Sequence, residues 1–485
     1  MSMYPDNLLY FVKKLSGYSR NNVKVLPLTS TTSGNGQVVQ FRLPTNSLID
    51  LSTWCMHGRM TVEGDGANKA TFGRDTASII RNVQVQVGGQ TIQNLNQYNL
   101  VWQALKQLTM SPQTSSNSSY LEFDAPPIVP TSDQKPTSGD GVPFAIRNWL
   151  GFFQASPSII DTSLLGEIVI SLTIETDRFM YSVADSSNTA VTLTLKQLFG
   201  SIDLISIQDG VYDMVAQQAL ASGLMLEIPV PNYFLFQGSS TTGSAHSQRF
   251  TIGCQSLDAA MILQRVSGLT TGSSSAPTAK GYSIQKGLRF SGEDCASEAG
   301  SGWYFEVNGA QVPSHRVSRD DTFHYQKVAF GIHGADHANL VGYSNHADTT
   351  VAASGGVAGS VSGSTVTITE AQLNTGLLHT KSNAVCNVRR GDTASGFVSA
   401  DADGILENQW IPVVRFNHAA SDKRLLSGID ARSNPVQIAY NGNSGGVQIV
   451  DGSTGYTLNN LTVSVVALCT STLMVGAGQQ LSFSA

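Results

Sequence analysis

Cysteine is scarce and shows no pattern: Cys55, Cys254, Cys295, Cys386 and Cys469 form no C-x-x-C pair, so neither a disulfide framework nor a zinc ribbon is signalled, and reduced thiols are expected. Charge is also thin. Charged residues are 13% of the chain, about half of the ~25% usual for soluble proteins, with no run of Lys or Arg and a formal net charge of -6. Neutralising phosphates needs a basic face, so direct nucleic-acid binding is not expected. No stretch approaches 18 apolar residues, and the opening MSMYPDNLLYFVKKL lacks a basic n-region and a small-residue cleavage site. The sequence therefore reads as neither membrane-spanning nor conventionally secreted.

What is present is length and neutral polarity. A chain of 485 residues exceeds one ordinary domain and suggests two to four, and 41% hydrophobic residues supply sizeable cores. The polar load falls on Ser, Thr, Asn, Gln and 46 Gly. Desolvating an unpaired charge is costly, so a surface to be covered by neighbours tends to be neutral-polar.

Period-two alternation, the mark of a strand buried on one face, dominates. It runs through Val39, Phe41 and Leu43; Val83, Val85 and Val87; Ile168, Ile170, Leu172 and Ile174; Val191, Leu193 and Leu195; and Val463 and Val465. Helical spacing is local. It appears at Leu95, Tyr98, Trp102 and Leu105, and again over 211–220. Near the start, Leu8, Phe11, Val12 and Leu15 form an apolar stripe that predicts a short amphipathic helix, packed on its own domain or docked on a neighbour or an inner membrane face. Long Ser/Gly/Thr/Pro-rich loops are read at 111–141, 238–247, 268–281 and 344–364.

The chain echoes itself. Phe41-x-Leu43-x-x-x-Ser47-Leu48 matches Phe250-x-Ile252-x-x-x-Ser256-Leu257, 209 residues on, and Val87-Gly88-Gly89-x-x-Ile92 matches Val307-Asn308-Gly309-x-x-Val312, 220 residues on. Each Gly-Gly or Asn-Gly pair is a tight hairpin signal, and each is followed by a helical candidate, at 95–108 and 322–330. Ordered matches at a nearly constant offset predict a duplicated unit.

With these elements the sequence resembles the double jelly-roll major capsid proteins of the adenovirus and tectivirus lineage, which includes virophages, polinton-like viruses and related protist double-stranded DNA viruses. The resemblance extends over most of the chain. It is carried by Ser78-Ile-Ile-Arg-Asn-Val-Gln-Val85 with its turn, by Ser201-Ile-Asp-Leu-Ile-Ser-Ile207, by Phe305-Glu-Val-Asn-Gly309, and by Leu426-Ser-Gly-Ile-Asp-Ala-Arg-Ser433. The Gly-Asn-Pro-Gln element of algal large-virus members is missing from the opening strand, which leans toward the smaller polinton-like or virophage-like branch.

The resemblance implies an all-β chain of two consecutive eight-stranded jelly-roll sandwiches. The expected division is an arm at 1–29, a first roll at 30–222 and a second at 223–485. It also implies a homotrimer forming a pseudo-hexameric capsomer of an icosahedral capsid in the virion, with neighbouring capsomers, penton and minor capsid proteins as partners. The arm would face inward, where it could contact an inner membrane. Two similar domains in three copies give six like corners and closed cyclic symmetry. No enzymatic activity and no cofactor are expected.

Constellations that mimic chemistry are read against this. Gly442-Asn-Ser-Gly-Gly446 approaches a serine-protease nucleophile motif, but Asn stands where Asp belongs and no matching His motif precedes it, so it reads as a hairpin loop. His333, Asp336 and His337, with His315, His324 and His346 near in sequence, are the weak metal candidates. Arg390-Gly-Asp392 and the Asn117 and Asn460 glycosylation patterns carry little weight. The competing reading is a β-sandwich adhesin or glycan-binding protein, which requires loop Trp and Tyr residues to stack on sugars.

Overall fold

A computed structural model of the chain describes residues 18–64, 70–71, 76–109, 141–175, 181–182, 191–207, 218, 221, 225–241, 245–266, 302–317, 319–330, 360–362, 365–367, 411–418, 426–432, 435–443, 448–451, 454–457, 461–476 and 480–484. In the first half the main strands are β1 (Tyr18–Val25), β2 (Val38–Arg42), β3 (Leu48–Gly64), β4 (Ile80–Val87), β5 (Gln90–Asn96), β6 (Val142–Ile146), β7 (Ile168–Ile174) and β8 (Val191–Ile207), with helix α1 (Tyr98–Thr109) after β5. The second half holds β9 (Leu226–Thr241), β10 (Ala245–Ile252), β11 (Ser256–Val266), β12 (Trp303–Val307), β13 (Ala310–Val317), α2 (Arg319–Phe330), β14 (Val413–Arg415), β15 (Val436–Asn443), β16 (Leu461–Val475) and the added strand β17 (Leu481–Ser484).

The sheet order repeats with a constant step of eight labels. The first half forms β1-β8-β3-β6 facing β2-β7-β4-β5, and the second forms β9-β16-β11-β14 facing β10-β15-β12-β13, with β17 paired to β16. All these pairings are antiparallel. Two four-stranded sheets wound in this order are a jelly roll, so the chain is all-β with two of them in succession.

The local reasons are legible in single strands. Along β7, Ile168, Ile170, Leu172 and Ile174 are buried while the residues between are half-buried, and Val83, Val85 and Val87 of β4 face the same core. The β4–β5 turn has Gly88 at φ +55° and Gly89 at +83°, and the β12–β13 turn has Asn308 at +51° and Gly309 at +84°. These are the successive positive φ values of a type I′ turn, whose twist suits a hairpin. A helix follows each hairpin: α1 buries Leu100, Val101, Ala104 and Leu105, and α2 buries Thr322, whose Oγ1 accepts a 2.7 Å hydrogen bond from Trp303 Nε1.

Two findings differ from the sequence-based division. Tyr18–Val25, assigned to the arm by a boundary at 29, is the edge strand of the first sheet, paired with β8 along its whole length. It shows no alternation because nearly all of it is exposed. The short patterns at 191–195 and 201–207 are one strand, broken in register between Lys196 and Phe199, where Gln197 takes φ +52°. Such a bulge moves the following side chains to the opposite face, which hides the continuity from a period-two reading.

Candidate functional site

The chain's most built feature is the contact between its two rolls. Strand β9 is the outer strand of its sheet, and Pro229 and Pro231 lie on it, as Pro is tolerated in sheets at edges. The first roll meets this edge with its own outer strand, β5, and with the tight turn Gly151–Gln154. Pro229 O accepts from Ser156 N at 3.2 Å, Asn232 Nδ2 donates to Ile92 O at 3.4 Å, and the Tyr233 hydroxyl bonds to Gln154 Oε1 at 2.9 Å. Further along, Gln90 Nε2 donates to Leu481 O at 3.2 Å, and Gln97 Nε2 donates to Gln237 Oε1 at 3.4 Å.

The turn is held by Gln93, which is 1% exposed. Its Oε1 accepts from Phe152 N at 2.8 Å and its Nε2 donates to Leu150 O at 3.3 Å, so one amide satisfies two buried backbone groups. Gly151 sits so close to this amide that a Cβ would collide with it. Burial pushes the Tyr233 phenol well above its usual range, and the Asp258 charge adds to the effect, so Tyr233 acts at the contact as a neutral donor.

The opposite edge of the first roll is charged. Arg20 on β1 reaches Asp203 of β8 at 2.5 Å through Nε and Asp50 of β3 at 2.7 Å through Nη2, and Asn22 Nδ2 donates to Asp203 Oδ1 at 2.6 Å. Asp203 is held below the usual carboxylate range by the Asn22 hydrogen bond and then by Arg20, against some desolvation. For Asp50, desolvation is the largest influence and pushes upward. The hydroxyls of Ser52 and Ser158, the Ser52 amide and Arg20 together outweigh it, and the group also sits low.

On the same sheet His57 stacks on Phe199, with ring centroids 4.8 Å apart, and lies 2.9 Å by Nε2 from Ser201 Oγ. Cys55 Sγ is 4.0 Å from His57 Nδ1, and Lys24 Nζ stands 4.4 Å above the Phe199 ring. Burial first, and Arg147 second, depress the imidazole. A neutral ring packed on an aromatic is a structural arrangement, and the cation over Phe199 adds to it.

Of the residues singled out from sequence, Leu8, Phe11, Val12 and Leu15 lie outside the described residues, as do His333, Asp336, His337, His346, Arg390, Asp392, Asn117 and Asn460. Gly442 lies on β15 opposite His246 of β10, and 448–451 pairs with 454–457 and not with β15, while residues 444–447 are outside the description. His315 is 3.4 Å by Nε2 from the Tyr325 hydroxyl. Among the described residues no group of three metal-ligating side chains occurs. The Arg20 network and the Gln93 bracket escaped the sequence reading because their partners are 30, 183 and 59 residues away.

No family model matches the sequence, and no curated protein matches it significantly. Solved structures do. A chain of the PBCV-1 virus capsid superposes with a TM-score of 0.55 at 10% identity over 99% of this chain and 100% of its own. A chain from the structure of the Sputnik virophage gives 0.54 at 9% identity over 100% and 91%. PBCV-1 VP54, as fitted into a reconstruction of Sputnik, gives 0.53 at 10% over 99% of both chains. The likeness covers both rolls end to end: the chain carries the double jelly-roll fold of viral major capsid proteins.

Proposed function

We propose that this chain is a structural, non-enzymatic major capsid protein that assembles in threes into pseudo-hexameric capsomers of an icosahedral virus shell. The observation that carries it is the repeated sheet order, in one continuous chain matched along its full length by a capsid chain. Two like rolls in fixed contact present two similar corners, and three copies make six, a shape that tiles a closed lattice. The partners are other copies of the chain, neighbouring capsomers, and the penton and minor proteins of the virion. The first 17 residues, with the stripe Leu8, Phe11, Val12 and Leu15, form an arm toward the capsid interior. A net charge of -6 leaves genome packaging to other components.

The adhesin reading asks for Trp and Tyr on loops. Trp54, Trp102, Trp149 and Trp303 are instead buried in the sandwiches, where they pack on Phe and Tyr rings. Light scattering on the purified chain tests the proposal. The expected mass is three times the 51.5 kDa of one chain, with hexagonal particles in electron micrographs. A monomer at every concentration overturns it.

A further inference from the structure

Two thiols of the second roll meet where its sheets join. Cys254 stands at the corner where the chain leaves β10 in one sheet and enters β11 in the other, and Cys469 lies on β16, opposite Leu257 of β11. Both are buried in the same apolar cluster. Their side chains hydrogen-bond to each other, and neither is in a disulfide. The corner is tied down by 429–431: Cys254 O accepts from Ala431 N at 3.0 Å, and Leu257 exchanges backbone bonds with Ile429 at 2.9 and 3.0 Å. A buried cysteine is commonly just a small apolar side chain. The first roll shows that this corner does not need one. In the echo that aligns Phe41 with Phe250, Thr45 stands where Cys254 does, and Ile205, paired with Leu48 as Cys469 is with Leu257, stands where Cys469 does.

We propose that Cys254 and Cys469 are a latent disulfide, closed by a small-molecule disulfide such as oxidised glutathione, that staples the second roll. One cysteine, as thiolate, attacks a sulfur of the oxidant and expels a small thiolate; the other then attacks the protein sulfur of the mixed disulfide and expels the second. One S–S bond forms and one breaks, two electrons pass to the oxidant, and the two cysteine protons end on the two small thiols released. Hydrogen bonding to Cys254, burial and the charge of Asp258 hold Cys469 well above the usual thiol range, so in the closed fold it stays protonated and a poor nucleophile. Exchange therefore waits on an opening of the corner. Once formed, the bond ties that corner to β16 across a long stretch of chain, which removes much of the freedom the unfolded state would gain. The inference goes beyond the capsid reading, and only its setting rests on it: a chain made in a reducing cell and released from it would close the bond on release.

The test uses the full chain, purified in reductant and warmed stepwise with oxidised glutathione to the onset of unfolding, so that the corner opens. Free thiols are then alkylated and the non-reduced digest is mapped by mass spectrometry. The expected result is a peptide pair linked through Cys254 and Cys469, and an unfolding temperature about 5–15 °C above that of the same sample after dithiothreitol. Cys469→Ala should lose both the linked pair and the difference made by dithiothreitol. A difference that persists in Cys469→Ala belongs to other cysteines and overturns the staple. Both thiols still free after warming, or a glutathione adduct on one without the linked pair, overturns the disulfide, and a linked pair that leaves the unfolding temperature unchanged overturns its stapling role. These readouts do not depend on oligomeric state, so a chain that never trimerises overturns the capsid reading and leaves the disulfide standing.

Discussion

In the first roll the apolar cluster that fills the sandwich does not stop at the sandwich. Built on Phe41, Trp54, Phe144 and Phe152, it continues into the second roll through Val230, Tyr233, Leu473 and Val475. The second roll has a further cluster of its own, around Phe250, Trp303, Phe305, Ile438 and Tyr440, which takes in no residue of the first. The sheet β9-β16-β11-β14 therefore serves two cores. Val465 and Ala467 of β16 lie with the second cluster while Val466 between them lies with the first, so this strand is buried on both faces. A strand buried on both faces reads as a continuous apolar run, and 463–469 is one apart from Ser464. The difference teaches that the rolls are equivalent in winding but not in how their cores are closed: the first cluster runs on into the second roll, whereas one cluster of the second stands apart.

The strongest way to break that comparison is to empty each core. Phe305→Ala and Phe152→Ala remove fully buried rings and should each cost about 3–5 kcal/mol. Phe305→Ala should raise hydrogen exchange in β12 and β15 and leave β4 and β7 protected. Phe152→Ala should raise it in β4, β7 and β9 together. Equal loosening of both rolls by Phe305→Ala would show that the two clusters unfold as one.

Next in size is the bracket at the contact. Gln93→Leu keeps the apolar volume but orphans Phe152 N and Leu150 O, at about 1–3 kcal/mol for each group. Since that turn meets β9, exchange in 226–233 should rise with it in native-state hydrogen exchange. A loss confined to β5 and 150–154 would mean that the turn does not brace the second roll. Smaller again is Tyr233→Phe, which removes one hydrogen bond to Gln154 and should cost about 0.5–1.5 kcal/mol in urea unfolding.

How much of this was legible follows from where each residue finds its partner. The hairpins at 88–89 and 308–309 and the helices behind them were readable because turn chemistry and helical spacing are local. The half-buried strands β2, β4 and β7 were readable because one face meets water. Strand β1 was not, since it is exposed and its sequence YSRNNVKV carries no apolar face, and its place is set only by pairing with β8, whose partners lie far along the chain, from Tyr18↔Ile207 to Val25↔Gly200. The contact between rolls was invisible for the same reason: Asn232 and Ile92, or Tyr233 and Gln154, are joined by topology and by no motif.

The finest comparison is between two aspartates near the starts of equivalent strands, Asp50 on β3 and Asp258 on β11. Asp50 meets a cation, Arg20 at 2.7 Å, and sits below the usual carboxylate range. Asp258 accepts from Ser256 Oγ at 2.9 Å and Thr470 Oγ1 at 2.5 Å, but Arg415 acts on it only at a distance, and desolvation leaves it raised. The signs for stability are opposite. A carboxyl lowered in the fold stabilises above its unfolded pKa, and that contribution is lost as pH falls through the folded value; a raised one binds its proton more tightly when folded, so stability grows as pH falls through its folded value. Asp50→Asn should therefore lower the unfolding midpoint at pH 7, and the difference should shrink as the pH falls below the usual carboxylate range. Asp258→Asn, which mimics the protonated acid while keeping polar atoms for Ser256 and Thr470, should leave the midpoint at pH 7 unchanged or higher. Thermal unfolding of both variants across that pH range checks the pair, and a loss at pH 7 for Asp258→Asn as large as that for Asp50→Asn would mean that hydrogen bonding, not desolvation, governs the second roll's acid.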